Sequence, residues 1–160
     1  MLGLFKQSKS KELLIEAPIK GRLMDISEVP DVVFSQKMVG DGMAIEPSEG
    51  RVTAPIEGIV LQVLDSKHAI ALKSNEGVEL LIHIGIDTVD LKGEGFEVFI
   101  NVGDKVKVGD LLILFDLEKV KDKAKSTITP IVITNMEELA DLEKSAHPQN
   151  QWIMRAVTER

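Results

Sequence analysis

The feature that most constrains this chain is the shortness of its apolar runs and the residues between them. Leu13–Ile15, Gly58–Leu64, Ala69–Leu72, Val78–Ile82, Phe96–Ile100, Leu111–Phe115 and Ile128–Thr134 are brief and separated at close intervals by Gly, Pro, Asp and Ser. Short runs at regular spacing with turn residues between them read as strands of an all-β sandwich or barrel. Gly40-Asp41-Gly42, Gly93-Glu94-Gly95, Gly103-Asp104 and Gly109-Asp110 supply turn chemistry, because Gly tolerates positive φ and Asp bonds its own backbone.

Two segments in the C-terminal third depart from this rhythm. Asp116 is placed to cap a short helix running to about Lys125, with Leu117, Val120 and Ala124 on one face. Asn135 followed by Glu138 has the form of a capping box and predicts a second helix, with Leu139 and Leu142 turned inward. Trp152–Val157 is expected to return as an edge strand. There is also an internal echo. Glu16-Ala17-Pro18-Ile19-Lys20-Gly21 recurs 37 residues later as Thr53-Ala54-Pro55-Ile56-Glu57-Gly58, with a weaker copy at Thr129-Pro130-Ile131. A Pro that starts a strand sits where no ladder donor is needed, and the Gly that follows permits a bend or bulge, so the echo implies related strand units.

Composition narrows the function classes. With 160 residues, the chain can bury a real core. It has no cysteine, which removes disulfides, thiolate nucleophiles and Cys-ligated metal sites. A net charge of −7 with 4% aromatics argues against nucleic acid, which calls for a basic footprint and stacking faces. No apolar run approaches the roughly 20 residues of a membrane span, and no secretory signal is read at the N-terminus, so a cytoplasmic protein is expected. Residues 1–11 carry three lysines and no acid, with Leu2, Leu4 and Phe5. They read as a flexible basic tail before a single domain over 12–160, capable at most of peripheral contact with an anionic membrane surface.

Without cysteine, chemistry near neutral pH falls mainly to three histidines. His147 lies in a polar, Pro-containing stretch and reads as a surface residue. His68 and His83 are different. They flank two apolar runs around Ser74-Asn75-Glu76-Gly77, the pattern of a β-hairpin. With a two- or four-residue loop, partner numbers sum to 151, which places His68 directly opposite His83 at about 5 Å between Cβ atoms. A three-residue loop with Gly77 as a bulge shifts the sum to 152 and breaks that register. Two facing imidazoles suit the sharing of a small anion, one nitrogen attacking and the other donating a hydrogen bond. As metal ligands they supply only two of the positions a zinc site needs.

These motifs resemble the glucose-family IIA component of the bacterial phosphoenolpyruvate-dependent sugar phosphotransferase system. The likeness runs from about Glu12 to Met136. It is carried by Asp31–Gly42, Ala54-Pro55 with Gly58, His68-Ala69, Leu80–Val89, Leu91–Phe96, Val108-Gly109-Asp110 and Ser126–Pro130. The continuous stretch from His83 to Phe96 is long and specific. The resemblance implies an antiparallel β-sandwich and a phosphohistidine relay without a cofactor. His83 would accept a phosphoryl group from the histidine phosphocarrier protein and pass it to a cysteine on the IIB domain of a sugar permease. His68 would stabilise the phosphate and serve onward transfer, with the Ser66 hydroxyl supporting its ring. Val33, Phe34, Val39 and Leu81 fall at positions of the apolar docking face. Asp31 and Asp87 would add negative charge near the site. Between Glu143 and Trp152 the chain departs from the family pattern, with Ser145–Asn150 in place of a Gly-containing turn.

Two other readings compete. Ala54-Pro55-Ile56-Glu57-Gly58 and Val108–Leu112 look like strand starts of a lipoyl or biotinyl carrier domain, with Lys73 near a hairpin tip as the modifiable lysine. A zinc metallopeptidase on a related β-scaffold would use His68 and His83 as ligands and needs a third ligand and a general base.

Overall fold

The computed structural model describes residues 10–145 and 151–159. Most of the basic N-terminal stretch and His147 lie outside the described residues. Strands dominate. β1 (Glu12–Glu16), β2 (Gly21–Asp25), β3 (Asp41–Pro47), β4 (Arg51–Thr53), β5 (Gly58–Val63), β6 (Ala69–Ser74) and β7 (Glu79–His83) come first. β8 (Phe96–Val98), β9 (Lys105–Val106), β10 (Leu111–Phe115), β11 (Thr129–Ile133), β12 (Leu139–Lys144) and β13 (Trp152–Thr158) follow. Two short α-helices interrupt them, α1 (Val32–Ser35) and α2 (Leu117–Lys123).

Among the described residues the strands form three antiparallel sheets, ordered β2-β3-β11-β7-β6-β5-β9, β1-β13-β12 and β4-β10-β8. One buried cluster holds them together. It takes Met43, Ile45, Leu80 and Ile82 from the large sheet, Ile15 and Met154 from the second, and Ile113 and Phe115 from the third. Strand alternation places the other side chains of the large sheet on its opposite face. There Met24, Ala44 and Val132 join Ile26, Val29, Phe34 and Ile86 in a smaller buried cluster, with Val39 and Leu81 packed against it. The large sheet is thus filled on both faces, and the second filling includes Phe34 of α1.

The echo is real in three dimensions. The Glu16 N–H donates to the Pro55 carbonyl at 3.0 Å, and the Thr53 N–H donates to the Pro18 carbonyl at 2.8 Å. Each bond is the image of the other under the 37-residue offset, so the two motifs cross as local two-fold partners. Their closing glycines have one reason. A Cβ on Gly21 or Gly58 would stand 2.0 Å from the carbonyl oxygen of Glu46 or Lys73 on the neighbouring strand.

Three expectations are corrected. Gly40-Asp41-Gly42 is not a turn: β3 begins at Asp41, and Gly42 is needed because a Cβ there would stand 2.0 Å from the Ile131 carbonyl oxygen. Asn135 caps no helix with its side chain. A single 3-10 turn (Met136–Glu138) leads into strand β12, so Leu139 and Leu142 lie on a strand. The Asn135 amide instead accepts from the Glu79 N–H and donates to the Gly77 carbonyl, each at 2.9 Å. Finally, β13 is the central strand of its sheet, bonded to β1 on one side and β12 on the other. The helix after Asp116 forms as read, with the Asp116 carboxylate accepting from the Lys119 N–H at 3.1 Å.

Candidate functional site

β6 and β7 form the predicted hairpin, but its loop has three residues. Gly77 is left-handed at φ 94°, and its N–H bonds the Ser74 carbonyl at 3.0 Å. Partners therefore run from Lys73↔Glu79 to Ala69↔His83, a sum of 152, and His83 faces Ala69 rather than His68. The imidazoles still meet. Lys67 is left-handed at φ 64°, so the chain turns just before His68 and strand alternation does not govern that side chain. The Ile84 N–H holds the His68 carbonyl at 2.7 Å. The two rings end 4.8 Å apart between centroids, nearly perpendicular at 82°.

β7 presents Leu81 and His83 on the outer face and sends Leu80 and Ile82 into the main core. Its ladder with β11 ends at Ile131↔Ile82, and the next residue of β11 is Pro130, which has no N–H to give. Beyond that point the chain leaves the sheet through Gly85, left-handed at φ 72°. His83 Nδ1 lies 2.8 Å from the Gly85 carbonyl oxygen. A carbonyl only accepts, so Nδ1 carries the proton and Nε2 keeps its lone pair. On the other ring, His68 Nδ1 lies 2.8 Å from the Ser66 hydroxyl, which can give or take a proton.

Both rings resist protonation. Burial, then the nearness of His83, lowers the pKa of His68 from 6.5 to about 4, against a backbone bond at Ser66 that raises it. Burial also lowers that of His83, opposed by the Gly85 carbonyl and by the charges of Asp31 and Asp87. Two neutral imidazoles at pH 7 therefore meet where the neighbouring interior strands β6 and β7 end.

The remaining predicted site residues surround them. Phe34 in α1 is buried, with its ring centroid 5.1 Å from that of His83. Val33 is exposed, while Val39 and Leu81 are half-buried on the second cluster. Asp31 caps α1, accepting from the Phe34 N–H at 3.3 Å. Asp87 is left-handed at φ 60° and makes no capping bond to the 3-10 turn Thr88–Leu91 that follows it. Sequence reading missed Val32, Met38 and Val89, exposed apolar side chains on the segments that carry Val33, Phe34, Val39 and Asp87. It also missed the Gly85 carbonyl as the partner of His83. The signal available was a glycine two residues beyond the histidine.

The competing readings find no support. Among the described residues, no group of three or more His, Asp or Glu stands together to hold a metal ion. Lys73 lies within β6, paired with both Glu79 and Ile59, and not at an exposed tip. Among the described residues, no helix is long and apolar enough to cross a membrane.

Comparison with known proteins agrees. Residues 13–139 match the family described as phosphoenolpyruvate-dependent sugar phosphotransferase system, EIIA 1. A protein of Halalkalibacterium halodurans named PTS system glucose-specific EIIA component is 53% identical over 151 residues, covering 91% of this chain and 87% of that one. The protein of the same name from Haemophilus influenzae is 47% identical over 151 residues, 91% of each chain. The solved structure of glucose permease IIA from Mycoplasma capricolum superposes with a TM-score of 0.81 at 36% identity, covering 91% of this chain and 96% of that one. With its β-sheets, its outer apolar face and a matched stretch that spans the histidine hairpin, this chain belongs to the EIIA 1 family of the phosphoenolpyruvate-dependent sugar phosphotransferase system.

Proposed function

We propose that His83 is the phosphoryl carrier of this EIIA chain and that His68 and Ser66 serve the bound phosphate. The observation that carries this reading is the Nδ1–H bond of His83 to the Gly85 carbonyl, which leaves Nε2 as the free nucleophile at neutral pH. Nε2 attacks the phosphorus of a phosphohistidine on the histidine phosphocarrier protein. The donor's nitrogen–phosphorus bond breaks, the new one forms, and the donor imidazole leaves with the electron pair. His68, with Nδ1 accepting from the Ser66 hydroxyl, offers Nε2–H to a phosphoryl oxygen. The group then passes to a cysteine of the IIB domain of a sugar permease. Such transfers rest on positioning and charge stabilisation more than on covalent chemistry in the protein.

Val33, Phe34, Val39 and Leu81 form the apolar ground on which both partners dock in turn. Asp31 and Asp87 place negative charge beside it for a basic partner and raise the basicity of His83. The reading places the protein in the cytoplasm. The relatives named glucose-specific make glucose uptake the first substrate to test.

Incubated with phosphoenolpyruvate, the first enzyme of the system and the histidine phosphocarrier protein, the chain should gain one acid-labile phosphate. His83→Gln should gain none. His68→Gln should accept the group and pass it to IIB at a small fraction of the normal rate. Phosphate retained in His83→Gln, or recovered on serine, would overturn the assignment.

A further inference from the structure

We infer that Thr88 and Thr129 are positioning residues that hold His83 in its reactive tautomer by clamping the peptide unit between Ile84 and Gly85. Both threonines are fully buried. The Thr88 hydroxyl donates to the Ile84 carbonyl at 2.7 Å. At the other end of the same peptide, the Gly85 N–H donates to the Thr129 hydroxyl oxygen at 3.4 Å. The Thr129 hydroxyl spends its own proton on the Thr127 carbonyl at 3.0 Å, so a lone pair is left for Gly85.

A peptide unit is planar, so fixing its oxygen and its N–H fixes its plane. The next unit is held as well, because the Ile86 N–H donates to the Ser126 carbonyl at 2.9 Å. The carbonyl of that second unit is the one that takes the His83 Nδ1 proton. Gly85 joins the two planes at φ 72°, and a Cβ there would stand 2.7 Å from the Thr88 methyl carbon and 2.9 Å from the Ser126 carbonyl oxygen. The carbonyl that selects the tautomer is thus aimed by two side chains that touch no substrate. Pro130 leaves the strand position beside Thr129 without an N–H, and the Thr129 hydroxyl continues the bonding where the ladder stops. Thr88 holds the shorter bond and is expected to matter more.

The inference rests on the reading of His83 as the carrier, and its test is read before any phosphate is present. In the full chain labelled with nitrogen-15 on histidine, His83 should show a protonated Nδ1 and an unprotonated Nε2 at pH 7.5. Thr88→Val and Thr129→Val keep the side-chain shape and remove the hydroxyl. Each should raise the Nε2–H form and shift the nitrogen signals of His83. Phosphoryl acceptance from the histidine phosphocarrier protein should fall, about tenfold for Thr88→Val and less for Thr129→Val. Thr88→Ser keeps the hydroxyl and should restore the wild-type signals, which a loss of packing alone would not allow. Should Thr88→Val fail to fold, Thr88→Ala and Thr129→Val carry the same readout. Unchanged His83 signals in folded hydroxyl-free variants would overturn the inference. Shifted signals together with phosphate found on another residue would support the clamp while refuting the carrier assignment.

Discussion

At the scale of single residues, His68 sets a pH dependence with a definite sign. Its pKa is about 4 in the fold and 6.5 when exposed, so between those values the unfolded chain binds the extra proton. Stability is therefore full above pH 6.5 and declines as the pH falls toward 4, by about 3 kcal/mol at 1.36 kcal/mol per unit. His83 adds in the same direction. His68→Gln should flatten this part of the curve. Urea unfolding at pH 7.5 and pH 5.0 measures it, and equal losses in wild type and variant between those two values would refute the assignment. His68 and His83 were open to sequence reading as candidates, because three histidines and no cysteine leave few others. What fixes their protons was not. The Gly85 carbonyl and the threonine hydroxyls act through the path of the backbone beyond β7, which depends on where β11 stops pairing.

At the scale of elements, the hairpin shows why sequence leaves the local register open between two sums and why the site assembles under the one observed. Loop length sets the register, and the choice between two, three and four residues turned on whether Gly77 belonged to the bulge. The histidine contact then came from the left-handed turn at Lys67, which has no glycine to announce it. Asn135 was misread for a related reason. A side chain suited to capping a helix is equally suited to bonding a distant hairpin, and here it ties Glu79 and Gly77 to the segment after β11. Asn135→Ala should therefore cost about 2–3 kcal/mol, because it strips the partner from two backbone groups at once. Asn135→Asp keeps the acceptor and loses the donor, and should fall between. Chemical denaturation of the three proteins gives the order, and a neutral Asn135→Ala would show that water replaces the amide without loss. The strands at the echo carry a sharper expectation. Gly58→Ala should destabilise by about 2–3 kcal/mol or more, since the added carbon meets backbone and not a flexible side chain.

At the scale of the whole molecule, one charged residue joins sheets that the backbone ladder leaves separate. Lys144, at the end of β12, donates to Asp25 at 2.7 Å and to Asp41 at 2.6 Å, the last residue of β2 and the first of β3. Burial alone would raise the Asp25 pKa, but the bonds from Lys144 and Ser27 bring it well below the usual carboxylate range. Burial likewise works against the Lys144 charge, and the two carboxylates overcome it and raise its pKa. The contribution of Asp25 is thus present above its ordinary value of 3.8 and fades as the pH falls through its folded value, while that of Lys144 is present below 10.5. Lys144→Met keeps the aliphatic stem and removes the cation that Asp25 and Asp41 share, leaving Asp41 with only the longer pair to Lys37 at 3.5 Å. The three side chains are 22–37% exposed, so solvent screens the pair and the expected loss at pH 7 is about 1–2 kcal/mol. That loss should shrink as the pH falls below 3.8, because protonated carboxylates no longer repel each other. The consequence reaches the apolar face around His83 through one short path. Asp25 also caps the 3-10 turn Ile26–Glu28, whose Ile26 packs with Phe34 in the cluster beneath His83. Amide exchange over Ser27–Phe34 should accelerate in Lys144→Met, while the nitrogen signals of His83, held from the Gly85 side, should stay in place. Unchanged exchange in that segment would mean that the tie joins the sheets without steadying the face they carry.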